Sequence, residues 1–119
     1  MIYPQEIEVW YILPAIRREI AKHLIDSGLK QKEVALKLGV TEAAVSQYMK
    51  DKRANEIVFD VTIKKAIERA AKRLVINDNI MREITKINQA MRKNKSICKI
   101  HHKYDKNLPE HCDICIYEK

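Results

Sequence analysis

Residues Gln31 to Tyr48 read QKEVALKLGVTEAAVSQY, and the placing of small, apolar and glycine positions in this stretch decides the fold. Val34, Ala35 and Leu38 lie three or four apart, which puts them on one face of a short helix. Gly39 then breaks the pattern, and glycine takes the left-handed conformation of a sharp helix stop at little cost. Val40 follows as an apolar plug for the corner. Thr41 is a good N-cap for a second helix, and Glu42 suits that helix's positive end. Val45 and Tyr48 carry the buried face onward, and Ala35 is small where two helices would cross closely. The stretch predicts helices over residues 31–38 and 42–50 joined by a tight turn, a helix-turn-helix.

Outward from this motif the chain continues to read as helix. Two glycines and three prolines among 119 residues, with frequent Lys, Ile, Glu and Ala, predict an all-α chain. Upstream, Ile2, Tyr3, Ile7, Val9, Trp10, Tyr11 and Ile12 concentrate large apolar groups, as in a short helix packing on the core or on a second subunit. Leu13-Pro14 opens the next helix, since proline is tolerated at a first helical position. Its buried stripe is Ile16, Ile20, Ala21, Leu24 and Ile25, and Ser27-Gly28 ends it. Downstream, Phe59, Ile63, Ala66, Ile67, Ala70 and Leu74 are spaced for one long amphipathic helix, Asn77-Asp78-Asn79 marks a break, and Ile80, Ile84, Ile87 and Met91 form a second seam. These two helices either complete the motif's core as a hairpin or pair with a second chain, and the expectation is a homodimer. The organisation expected is thus residues 1–56 as N-terminal segment and DNA-binding domain, 57–95 as helical dimerisation or support region, and 96–119 as a Cys/His tail.

The net charge of +7 is unevenly placed. Residues 1–56 carry nine Lys/Arg against eight Asp/Glu, residues 57–97 ten against four, and the remainder four against four. A DNA-binding motif here would have a weak field of its own, and the middle helices would supply much of the attraction to phosphate. The competing reading is that those cations simply solvate the outer faces of two amphipathic helices. Nothing approaches the roughly 18 apolar residues of a membrane span, and no stretch resembles a signal peptide, so a cytoplasmic protein without membrane contact is expected.

Gly28 to Arg53, GLKQKEVALKLGVTEAAVSQYMKDKR, resembles the Cro/repressor-type helix-turn-helix. With Leu13-Pro14-Ala15-Ile16-Arg17-Arg18 upstream and the cysteine-bearing tail downstream, the wider pattern resembles a group of small archaeal transcriptional regulators with Cys-rich C-terminal tails. The resemblance implies a DNA-reading regulator that pairs two recognition helices. Two departures stand out: Lys30 occupies a place where such motifs often put a small hydroxyl cap, and Asp51 replaces a frequent glycine after the recognition helix, though Asp tolerates the left-handed conformation better than most residues.

In such a motif the second helix lies in the major groove with its N-terminal residues at the bases. The outward positions are Glu42, Ala43, Ser46, Gln47 and Lys50. Gln47 can bond adenine in bidentate fashion, Glu42 can accept from cytosine, and Ala43 can touch a thymine methyl. Lys50, Lys52, Arg53 and Gln31 are placed for phosphates. For each, the plain alternative is a solvated surface side chain.

The tail concentrates metal-ligand chemistry. Cys98-Lys-Ile-His101, ten residues, then Cys112-Asp-Ile-Cys115 gives C-x2-H-x10-C-x2-C, holding all three cysteines of the chain. Two chelating pairs across a short loop suit four-coordinate zinc, and a metal would explain how a polar tail with little core folds. His102 or His111 can replace His101 by spacing. An iron–sulfur cluster is the second option, weighed below zinc because three cysteines are one short of the usual set. A Cys112–Cys115 redox dithiol is the third. Disulfide stapling ranks last, since the count is odd and the cytosol reducing; unconnected thiols in a disordered tail are the plain alternative.

An enzyme is not expected. The H-x-E partner of a zinc deaminase's C-x-x-C is missing, there is no phosphate-binding glycine loop, and His23 reads as a surface residue. The function expected is a sequence-specific DNA-binding transcriptional regulator with a metal-bound tail. The rival is a protein-interaction adapter that uses the helical seams.

Overall fold

The computed structural model describes residues 3–50 and 57–104, which contain helices and no strand. Pro4–Ile7 forms α1, and Glu8–Ile12 is a π-helical turn that runs straight into α2, Leu13–Asp26. The helix expected at Leu13-Pro14 therefore continues one already begun. In the π turn, Leu13 N–H reaches the Glu8 carbonyl five residues back. A turn widened here eases the clash a proline ring makes with the carbonyl four residues behind it, and Pro14 has no N–H to lose. Ile7 and Ile12 face inward and are wholly buried, whereas Val9 and Trp10 are 57% and 56% exposed.

Along α2, Ile16, Ile20, Ala21 and Leu24 are wholly buried, as their spacing predicts, and Ile25 is half-buried. The helix stops at Gly28, φ 100°, where Gly28 N–H donates to the Ile25 carbonyl at 3.0 Å and Leu29 N–H to Leu24 at 3.1 Å. The next stop repeats this pattern. α3, Gln31–Leu38, ends at Gly39 with φ 68°; Gly39 N–H donates to Leu36 at 3.3 Å and Val40 N–H to Ala35 at 3.0 Å. Both are Schellman closures, which consume the orphan carbonyls of a helix end and require a left-handed residue. A Cβ at either glycine would meet nothing within 4 Å, so the demand is on φ alone.

α4, Glu42–Lys50, follows, and after residue 56 come α5, Val61–Ile76, α6, Ile80–Lys93, and α7, Ser96–Tyr104. α2 is the hub: it packs along α5 and against α3, α4 and the π turn, while α6 lies on α5 and α7 on α1 and α6. The stripe expected on the long helix is buried inside the chain, with Ile63, Ile67, Ala70 and Leu74 at 2% exposure or less. On α6, Ile87 and Met91 are buried and Ile80 and Ile84 half-buried. These helices complete the core of the motif helices rather than standing apart from it.

The beginning of the Cys/His tail differs from a polar segment with little core. Residues 96–104 are helical, and Ile97 and Ile100 join the same hydrophobic cluster as α2 and α5. Ile97 and Ile100 thus give this part an apolar side to bury, one turn apart on the helix. Each wholly buried isoleucine is worth roughly 1.5–3 kcal/mol, against at most about 1 kcal/mol for an exposed ion pair, so the apolar stripes decide the packing.

Polar groups then fix how the helices sit. Arg73 of α5 grips Glu83 of α6 through Nε at 2.7 Å and Nη2 at 2.9 Å. Glu83 is buried, and the paired guanidinium holds its carboxyl below the ordinary glutamate range. Arg92 of α6 donates to Glu8 of the π turn at 2.9 Å. Asp60 caps α5, its Oδ1 accepting from Ile63 N–H at 2.9 Å, and its Oδ2 accepts from Asn94 Nδ2 at 3.1 Å beyond α6.

Candidate nucleic-acid interface and metal ligands

The pair α3–α4 is set by local chemistry at its corner. Thr41 Oγ1 accepts from Ala44 N–H at 3.0 Å, so the expected N-cap forms. Lys30, at the corresponding place before α3, makes no side-chain cap, in keeping with its departure from the usual hydroxyl. Val40 tucks against the core beside the Gly39 stop. Val45 is wholly buried and Ala44, Tyr48 and Met49 are partly so, which fixes the rotation of α4 about its axis.

That rotation places the expected reading residues. Glu42, Ala43, Gln47 and Lys50 are exposed, as is Gln31 at the start of α3, and Ser46 is half-buried. Lys52 and Arg53 lie outside the described residues. Glu42 stands in the first turn of α4 and Lys50 in the last, each sign matching the helix end it occupies.

Two connections not legible in the motif hold the pair to the rest of the molecule. Arg18 of α2, buried at 5% exposure, donates from Nε to the Tyr48 carbonyl at 3.1 Å in the last turn of α4. A guanidinium there gives that carbonyl a charged donor and opposes the negative end of the dipole. From α3, Lys37 Nζ donates at 3.0 Å to both the Asn77 carbonyl and Asp78 Oδ1, at the junction of α5 and α6. Arg18 stands one residue from Arg17 in a basic pair. The only sequence signal for its burial is its distance from Ala15 and Ile16 along the helical stripe.

On α7, Cys98 and His101 stand one turn apart with exposures of 8% and 2%, so both side chains of the C-x2-H pair are buried. His102 is half-buried, which makes His101 the more deeply set of the neighbouring imidazoles. Their expected partners Cys112 and Cys115, and His111, lie outside the described residues. Among the described residues no three His, Cys, Asp or Glu side chains gather as a metal site would need. Thiol and imidazole are donor types that suit zinc or an iron–sulfur cluster, and α7 carries one of each.

No helix among the described residues is long and apolar enough to cross a membrane. In comparisons with known proteins, no family model, curated protein or solved structure matches the chain.

Proposed function

We propose that the protein is a sequence-specific regulator of transcription that reads duplex DNA with α4, works as a homodimer, and binds a metal through Cys98, His101, Cys112 and Cys115. The observation that carries this reading is the exposure of Glu42 and Ala43 in the first turn of α4 and of Gln47 one turn further on, on a helix locked from behind by Val45, Thr41 and Arg18. Readers of the major groove use just that end of a helix, rigidly mounted. Lys64, Lys65, Arg69 and Lys72 on α5 are exposed and add cations to a motif with few of its own. Zinc would brace the tail, and a cluster would make the regulator responsive to redox state or iron.

A salt titration of binding to random duplex tests the reading. Several phosphate contacts should make log affinity fall linearly with log salt, with a slope of about 0.9 per contact. Gln47→Ala should then relax preference among selected sequences, whereas Lys52→Ala should weaken all duplexes alike. Equal effects of both on every sequence would refute the groove assignment. Metal content and absorption of protein purified without air decide the tail: one zinc per chain and no colour, or iron, sulfide and a brown solution.

A second reading, a protein-interaction adapter, draws on apolar groups left outside: Leu36 on α3, Ile76 on α5 and Met81 on α6 are 76%, 88% and 83% exposed. The homodimer would also have to use such surface, since the stripe of α5 is already covered within the chain. An adapter would show no duplex binding to titrate.

A further inference from the structure

A cleft of about 460 Å3 opens between α2 and α6, capped by the end of α3. This falls in the range of small-molecule sites. Leu13, Leu38, Ile80 and Ile84 give it apolar walls, and Met81 stands at its edge. A second cleft, between α2 and α5, mixes His23 and Lys64 with Glu19 and Glu68 and so presents no single sign of charge. The α2–α6 cleft differs, because no carboxylate lines it.

Two polar side chains in that lining point to what it would hold. Arg17 is half-buried, and no carboxylate among the described residues pairs with it; Arg92, the other cation of the lining, is engaged by Glu8. Asn88 also lines the cleft, and its Oδ1 is covered without a hydrogen-bond partner, so a turn of the side chain toward the cleft would let a donor there satisfy it. Buried acceptors left in this state are rare in folded proteins, and a bound donor is one of the ordinary explanations. A half-buried guanidinium facing an apolar hollow prefers a planar anion that it can grip with two N–H groups.

We propose that this cleft binds a small apolar carboxylate that also carries an N–H or O–H donor. The carboxylate sits on Arg17, the Asn88 side chain turns to bring Oδ1 onto the donor, and an aromatic or branched body fills the space between Leu13 and Ile84. The site shares no residue with the exposed end of α4, so it stands whether or not that helix reads DNA. It does touch Leu38, the residue before the Gly39 stop, which gives an occupant a direct mechanical path to the α3–α4 corner.

Indole-3-acetate has the three required parts and serves as the probe, with its methyl ester and its N-methyl derivative as controls. Titrated into the isotopically labelled full chain, it should shift the Asn88 side-chain amide and the Leu13 and Ile84 methyls, with a dissociation constant of about 1 mM or tighter. Esterification should weaken binding about tenfold in the native chain and leave Arg17→Gln nearly indifferent. Asn88→Leu should bind the probe and its N-methyl derivative equally well while unfolding no more easily than the native chain. Should Arg17→Gln fail to fold, the ester comparison on the native chain makes the same test. No shift at these residues up to about 10 mM probe, or equal binding of acid and ester to the native chain, overturns the proposal. So do shifts that follow protein concentration alone, which would assign the cleft to a second copy of the chain.

Discussion

The chain makes a left-handed step at three helix junctions, and two of them support it in opposite ways. Between α3 and α4 the residue is Gly39, φ 68°; between α6 and α7 it is Lys95, φ 64°. Gly39 is free of steric penalty, and its turn is closed by backbone bonds within the motif itself. Lys95 carries a Cβ, so its conformation is strained by about 1–2 kcal/mol and has to be held from outside. Lys95 N–H donates to the Arg92 carbonyl at 3.3 Å, as Gly39 does to Leu36, but a further hold comes from far along the chain. Asp60, the cap of α5, accepts from Asn94 Nδ2 at 3.1 Å, and the Ser96 hydroxyl lies 3.1 Å from the same carboxyl oxygen. Asn94 Oδ1 in turn accepts from Ser96 N–H at 3.0 Å, so the residues on both sides of Lys95 are fastened. One corner is a property of a residue type; the other is a property of the assembled fold.

The largest effect expected tests the second corner. Asp60→Ala removes a helix cap and the bonds that clasp the α6–α7 junction, and should cost about 2–3 kcal/mol in urea unfolding. Hydrogen exchange should quicken over Ser96–Tyr104 and leave α3 and α4 nearly unchanged; uniform quickening would mean that the junction is not separately held. Gly39→Ala should cost between about 1 and 2 kcal/mol, and its loosening should be confined to α3–α4. A cost near zero there would show that the motif does not depend on the left-handed stop.

Glu83 sharpens the contrast from the side of charge. Its carboxyl is held below the ordinary range chiefly by the bonds from Arg73. The native state therefore favours the ionised form, and this contribution is complete at neutral pH. It should fade as pH falls below about 4.3 and on through the lowered native value. Glu83→Gln should cost about 1 kcal/mol at pH 7, a modest figure because Arg73 is half-exposed, and the two proteins should converge in acid. A difference that persists unchanged at low pH would mean that packing, not charge, explains it. The smallest effect has the opposite sign: Lys95→Gly should stabilise by less than about 1 kcal/mol, since the relief of strain is partly offset by glycine's greater unfolded-state freedom. Destabilisation would show that the Lys95 side chain itself supports the turn.

The candidate reading face was largely legible before folding. Apolar positions at helical spacing, a glycine stop and a threonine cap act within a few residues of one another, and they set both the bounds of α3 and α4 and the outward turn of Glu42, Ala43 and Gln47. Arg18 was not legible, because an arginine beside an arginine reads as surface until a carbonyl 30 residues away is known to need a donor. The same holds for Lys37 and the carbonyl of Asn77. The tail was read as polar because its histidines, lysines and acids outnumber its apolar groups. Ile97 and Ile100 nevertheless find the core, through a helix that α1 and α6 complete.

By itself, then, the amino-acid sequence determined what depends on near neighbours: which segments are helical, where Gly28 and Gly39 stop them, and which side of each helix is apolar. Only the tertiary structure decided that α5 packs on α2 and α6 on α5 within the chain, that Asp60 clasps the residues on both sides of Lys95, and that Arg17 and Asn88 meet in one cleft. The physical reason is range. Propensity, capping and left-handed φ are fixed by interactions among a handful of adjacent residues, whereas a buried ion pair, a shared carboxylate or a hollow exists only after distant apolar stripes have brought its walls together.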